Sequence, residues 1–424
     1  MTASALPAPP GLLGSQRTDR WSWAGLVLSM CVFLGGFVIF EPAPYELALM
    51  PVLIIWFIAG LKLRVEFGPL IVLLILFQAG GLISATQTDR WEDIPIYYSV
   101  SIFLAATSIF FAAVVADDPN RLKTIINAWL AAGIAVAVIG ILGYFHAFPG
   151  AELFTLYDRA RGPFADPNVY GPFLVLPAAW YTRQILTRPL HRLLGPITWM
   201  TIIAFGIFLS FSRAAWALSA FVCVATALMV FVNERNAVRR ARLVGLAGLA
   251  LILLVAMLAI ALTNEQVSEL FTERAKLVQD YDGARLGRFE RHWIGFALAA
   301  EKPLGIGALE FGKNLGEDPH NTLLKSLLAY GWLGFVSYVT LIAWTLAKGF
   351  TIMFKRRPWA ATMQCIFVVF VGHILIGLII DTDHWRHLYL LVGLIWGIAA
   401  VDRAYVPRRY RPVQPMAPTA AAAA

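Results

Sequence analysis

The chain has 424 residues, of which 59% are hydrophobic and 14% charged, and its mean hydropathy is +0.69. Soluble domains are nearer half apolar and a quarter charged. A soluble enzyme with a single anchor is therefore excluded, and the composition implies an all-α polytopic membrane protein. The net charge of +8 does not indicate a nucleic-acid partner, because most of the 34 Lys and Arg residues lie in short loops between apolar runs, where such residues set membrane orientation.

Residues 1–20 hold Pro and Ala but no long apolar run, so they do not read as a cleaved signal peptide. A membrane span needs roughly 20 mainly apolar residues. Twelve stretches are candidates: 22–40, 46–61, 67–85, 96–116, 124–144, 168–186, 194–210, 214–232, 243–263, 332–353, 361–380 and 386–401. Only a few residues separate 194–210 from 214–232. The expected organisation is a tail at 1–21, spans one to nine at 22–263, a long helical segment at 264–331, spans ten to twelve at 332–401 and a Pro/Ala-rich disordered tail at 402–424.

Lys and Arg concentrate in alternate loops at 62–66, 117–123, 183–193, 233–242 and 348–358 and in both tails. The opposite short loops hold only Arg90, Arg159, Arg161, Arg213 and Arg386. Both termini are thus expected in the cytoplasm and the 264–331 segment outside, since long loops cross regardless of charge. Cys31, Cys223 and Cys365 all fall in apolar stretches and read as packing residues. No internal repeat is visible, which weighs against a transporter.

The outward side carries the informative motifs. Arg159 and Arg161 open RARGPFADPN, in which Asp166-Pro167-Asn168 reads as a helix start with Asp as N-cap; its backbone N–H groups can receive an anion. The alternative is an ordinary loop with a Gly-Pro turn. Arg213 in SFSRAAW sits between apolar spans, where an arginine is paired, snorkelled or functional. Arg285, Arg288 and His292 share one helical face, with Arg291 at its edge and Trp293 and Phe296 starting the apolar side. The alternative there is an amphipathic helix on the membrane surface.

In EDPHN, Asp318 is the expected N-cap and Pro319 the first helical residue, with His320 in the first turn of a helix that Tyr330-Gly331 closes. The helix dipole would favour a neutral imidazole, the form a general base needs; the alternative is a surface histidine. Asp381, Asp383, His384 and His387 form a D-x-D-H-x-x-H run around Arg386. It could be a metal ligand set, but the run straddles a membrane boundary, so aspartates balancing Arg386 within the arginine cluster is the preferred reading. No Walker, HExxH or GxSxG pattern occurs, and no cofactor is expected. Clustered guanidinium groups suit a phosphate or diphosphate, and a histidine beside them suits proton transfer.

In this order, RGPFADPNVYGPFL (161–174), SFSRAAW (210–216), GRFERHW (287–293), EKPLGIGALEFG (301–312) and DPHNTLLKSLLAYGWLGF (318–335) resemble the O-antigen ligase/polymerase superfamily of bacterial envelope glycosyltransferases. The resemblance covers roughly residues 70–400 and rests on the joint order of short motifs. It implies an inner-membrane enzyme that takes a glycan from undecaprenyl diphosphate at the periplasmic face, without metal or nucleotide and with inversion. Ligases pass the glycan to lipid A–core, polymerases to another lipid-linked glycan. By resemblance His320 would be the base, while Arg161, Arg213 and Arg288 would bind the diphosphate and stabilise its leaving charge. Arg159, Arg386 and Asn321 complete the candidate diphosphate set. Arg288 against Arg291, and Arg161 against Arg159, stay open, as does ligase against polymerase. The rival class, a transporter of an anionic lipid or solute, predicts charge deep within several spans, and these spans are nearly free of it.

Overall fold

The computed structural model describes residues 23–88, 91–275 and 288–405. In chain order the helices are α1 (Trp23–Leu34), α2 (Pro44–Ile58), α3 (Gly68–Ala85), α4 (Ile94–Asp117), α5 (Arg121–Tyr144), α6 (Pro167–Phe173), α7 (Val175–Thr187), α8 (Leu194–Leu209), α9 (Arg213–Asn233), α10 (Ala237–Ala261) and α11 (Glu265–Ala275). They continue with α12 (Arg288–Glu301), α13 (Glu310–Leu315), α14 (Thr322–Met353), α15 (Ala360–Ile376) and α16 (Arg386–Ala404). A two-residue hairpin, Thr155–Leu156 against Arg159–Ala160, is the one sheet among the described residues. The chain is an all-α polytopic membrane protein. Among the described residues seven helices are long and apolar enough to cross a membrane, and α1, α2, α8 and α15 are shorter apolar helices.

The expected sixth span, 168–186, is broken in two at Leu174. Pro177 has no N–H for the Phe173 carbonyl, which instead accepts from the Trp129 indole at 3.1 Å. The expected start of that span holds: Asp166 caps α6 by accepting from the Asn168 N–H at 2.6 Å.

Two close helix pairs form the centre. α4 packs on α16, where a Cβ on Gly393 would lie 2.6 Å from the Ser108 carbonyl oxygen; small residues permit such backbone approach. α3 packs on α14, which is 32 residues long, or about 48 Å if straight. That exceeds a hydrocarbon core of about 30 Å. The helix is kinked at Gly331, whose φ of 64° and ψ of −174° are non-helical. The segment after α12 satisfies the backbone groups that the kink frees. Ile306 N–H donates to Leu328 O at 2.8 Å and Trp332 N–H to Pro303 O at 2.9 Å. The Tyr98 hydroxyl donates to Ala329 O at 2.6 Å.

The two ends of the bundle differ in charge. At one end Arg64 donates to Ala116 O, Arg183 to Gln364, and Lys355 and Arg357 to Asp402. The segments 84–97, 310–325 and 377–386 meet at the other.

Gly331→Ala should destabilise the protein by about 1–3 kcal/mol, because a Cβ there would lie 2.7 Å from the Leu304 carbonyl carbon on a left-handed backbone. A lowered Tm in detergent is the expected reading; an unchanged Tm would show that the kink does not need glycine.

Candidate functional site

The expected cap at Asp318 is replaced by another three residues later. Helix α14 begins at Thr322, and its N-cap is Asn321, whose Oδ1 accepts from the Leu324 N–H at 3.0 Å. Asp318 is engaged elsewhere, 3.1 Å from the Lys325 ammonium. His320 therefore stands before the helix rather than in its first turn, with a left-handed φ of 48°. A non-glycine residue pays about 1–2 kcal/mol for that conformation. The 377–382 turn holds it: Thr322 N–H donates to Gly377 O at 2.7 Å, Thr382 N–H to Thr322 Oγ1 at 2.9 Å, and Asn321 Nδ2 to Leu378 O at 3.0 Å.

The dipole argument for His320 accordingly gives way to a local electrostatic one. Nδ1 lies 3.9 Å from Asp381 Oδ2 and Nε2 lies 4.0 Å from Glu317 Oε2, with 37% of the side-chain surface exposed. These separations exceed hydrogen-bond length but lie within reach of charge–charge interaction. Behind the histidine, Lys325 Nζ sits 3.1 Å from Asp318, 3.5 Å from Asp381 and 3.7 Å from Asp383. Asp383 also accepts from the Tyr97 hydroxyl at 2.6 Å and is 2.9 Å from His384 Nδ1.

The two aspartates are driven apart in acidity. Burial, reinforced by Asp383 and Asp318 and opposed by Lys325, holds the Asp381 carboxyl above its ordinary value. Burial also pushes Asp383 up, but Lys325, His384 and the Tyr97 hydrogen bond outweigh it and hold that carboxyl well below the usual range. A pair of carboxyls pushed apart by their surroundings is a feature of functional sites.

The arginines divide into groups. From α12, Arg291 reaches Glu317 at 2.5 Å and His292 Nε2 meets Pro319 O at 2.5 Å, so this helix presses on the His320 loop. Arg288 opens α12, but its side chain lies outside the described residues, as does Arg285. Arg159 is buried and joins two motifs, with Nε on Ser210 O at 2.8 Å and Nη2 on Asn168 Oδ1 at 3.0 Å. Arg161 braces its own loop through Leu153 O at 3.1 Å and Ala165 O at 3.2 Å. Arg213 is the first residue of α9, after Ser212, whose hydroxyl accepts from the Ala215 N–H.

Arg386 pairs with Glu46 at 2.5 Å and Glu41 at 3.1 Å. The aspartates of the D-x-D-H-x-x-H run balance Lys325 instead of Arg386, contrary to expectation. His387 packs into a buried aromatic nest, its ring 4.9 Å from His373 and 5.1 Å from Trp385. Among the described residues no three His, Cys, Asp or Glu side chains are placed to hold a metal ion. Sequence reasoning missed Lys325, Glu317 and Tyr97 as members of the cluster. A lone lysine inside the apolar run Leu-Leu-Lys-Ser-Leu-Leu was the available signal.

Residues 199–339 match the family model described as O-antigen ligase. The match covers about a third of the chain and supports its likeness to the O-antigen ligase/polymerase superfamily. The matched stretch contains Arg213, Arg288, Arg291, His320 and Lys325, whereas Arg159, Arg161, Asp381, Asp383 and Arg386 lie outside it. No curated protein matches the chain.

Asp383→Asn should destabilise the protein by about 3–5 kcal/mol, the range for breaking a buried ion pair by removing one partner. Lys325 would lose a counter-charge, and Tyr97 and His384 their acceptor. Thermal unfolding checks this, and a wild-type Tm would reject Asp383 as a structural anchor.

Proposed function

We propose that this multi-pass enzyme of the O-antigen ligase/polymerase superfamily is an inverting, metal-independent glycosyltransferase. It takes a glycan from undecaprenyl diphosphate at the periplasmic face of the bacterial inner membrane. The observation that carries this reading is the strained His320 loop, with one imidazole nitrogen facing Asp381 and the other facing Glu317, inside a segment matching O-antigen ligases. The orientation is supported by the Lys- and Arg-rich segments, which gather at the end of the bundle away from His320; both termini are then cytoplasmic.

In this reading the acceptor hydroxyl gives its proton to His320 as its oxygen bonds to the anomeric carbon. The bond from that carbon to the diphosphate breaks on the opposite face, and the diphosphate leaves with the electron pair. Asp381, next to Nδ1, stabilises the imidazolium that forms, the role of the acid in a histidine–carboxylate pair. Arg213 and Arg288 neutralise the charge that develops on the leaving group, and guanidinium forks suit phosphate oxygens. Arg291, already bound to Glu317, links that charge to the His320 loop. Arg159, Arg161, Arg386 and Asn321 serve chiefly by holding the surrounding loops, because carbonyls, glutamates or a cap hydrogen bond engage them.

With purified enzyme and a lipid-diphosphate glycan, His320→Ala should abolish transfer while donor binding persists. Arg213→Ala should weaken donor binding by about 1.5–3 kcal/mol, the worth of one charged hydrogen bond. EDTA should leave the rate unchanged. Normal turnover by the histidine variant would remove the base assignment, and inhibition by chelator would remove metal independence.

We assign lipid A–core as acceptor, with a lipid-linked glycan as the polymerase alternative. A deletion strain separates them. Loss of the lipopolysaccharide ladder with full-length glycan left on the carrier means a ligase; single repeat units left on the carrier mean a polymerase.

A further inference from the structure

The helices that frame the site at one end enclose a cavity at the other. Tyr97, near the start of α4, contacts Asp383, whereas Ala116 and Asp117 at its far end line a cavity of about 540 Å³. Tyr97 and Asp117 are twenty residues apart on this helix, so the two places lie about 30 Å apart. The cavity therefore belongs to the face opposite His320, the one carrying the Lys- and Arg-rich segments.

Its wall has a consistent chemistry. Arg64 and Lys123 line it, and Arg64 is anchored by donating to the Ala116 carbonyl. Asp117, the one acidic residue of the lining, is paired with Arg121 at 2.7 Å, so the charge facing the cavity is positive. Helix α5 begins here behind Asn120, whose side chain makes no cap hydrogen bond, and a helix start favours an anion. Trp359 also lines the cavity. Its indole N–H is buried with no hydrogen-bond partner among the described residues, and its ring stands edge-on to Tyr405 at 5.3 Å. A buried donor of this kind is destabilising until an acceptor arrives. Deeper in, Ile126 and Val401 supply an apolar wall.

We propose that this cavity binds the anionic phosphate group of an amphiphile, an acidic phospholipid of the surrounding leaflet. Arg64 and Lys123 pair with the phosphate, the Trp359 N–H donates to one of its oxygens, and the acyl chain follows the apolar wall. The volume lies within the range of small-ligand pockets, and interfacial basic and aromatic side chains are the usual means of holding lipid headgroups. The site is separate from the glycosyl-transfer chemistry and does not depend on it.

The test uses the full chain, delipidated in detergent and titrated by native mass spectrometry with phosphatidylglycerol or with diacylglycerol, which lacks phosphate. Wild type should retain phosphatidylglycerol and not diacylglycerol. The double variant Arg64→Ala/Lys123→Ala should bind it about tenfold more weakly or worse, and Trp359→Phe, which keeps a ring but removes the N–H, several-fold more weakly. Millimolar inorganic phosphate separates the sources: no competition assigns the site to the lipid headgroup, and full competition with equal protection assigns it to a free phosphate anion. Equal retention of diacylglycerol, or phosphatidylglycerol binding untouched by both variants, overturns the proposal.

Discussion

A buried ammonium organises this protein. Lys325 lies in a mainly apolar stretch at the start of its helix, and an ammonium taken out of water is costly unless counter-charges and hydrogen bonds surround it. Asp318, Asp381 and Asp383 supply the charges from three sides. The loop before α14 and the turn between α15 and α16 consequently cannot separate without stranding that charge. His320 stands between them, so its position follows from the ion cluster as much as from its own backbone. Three carboxylates around one ammonium leave net negative charge, and His320, His384 and Arg291 lie at its border. The site is more acidic at its centre than a list of arginines suggests.

The arginines show that residue type alone does not specify a role. Arg159 and Arg161 are spent largely on backbone carbonyls. Arg159, which also reaches Asn168, thereby ties that segment to Ser210 at the entrance to α9, where Arg213 stands. Arg386 is held by two glutamates from the N-terminal part of the chain, which clamps the start of α16 next to the Asp383 turn. A guanidinium that satisfies a buried carbonyl and one that waits for a phosphate look alike in a sequence.

What could be read from sequence followed from range. The apolar runs were legible because a bilayer sets a length and a composition, and Asp166-Pro167 was legible because a cap is a contact between neighbours. The break at Leu174 was written only as two prolines, and its compensation by Trp129 comes from 44 positions away. At His320 two residues were able to cap the helix. Asp318 and Asn321 are chemically similar in that role, and the choice was made by Lys325, whose pairing with Asp381 and Asp383 bridges more than fifty positions. The partners of Arg386 lie 340 and 345 positions away. Local pattern carries no information at that distance, so motifs supplied candidate residues while the contacts among them stayed hidden.

The kink at Gly331 has a mechanical meaning. A membrane helix adjusts to bilayer thickness by tilting, and an unbroken α14 would carry any such tilt straight to its first turn. The break divides it into a spanning part from 332 onward and a short pier, 322–330, that is tied to Tyr98, to the 301–309 segment and to the 377–382 turn. Tilt of the spanning part is then absorbed at one glycine. The pier keeps the orientation that its ties impose, and the His320 loop is insulated from changes in lipid composition.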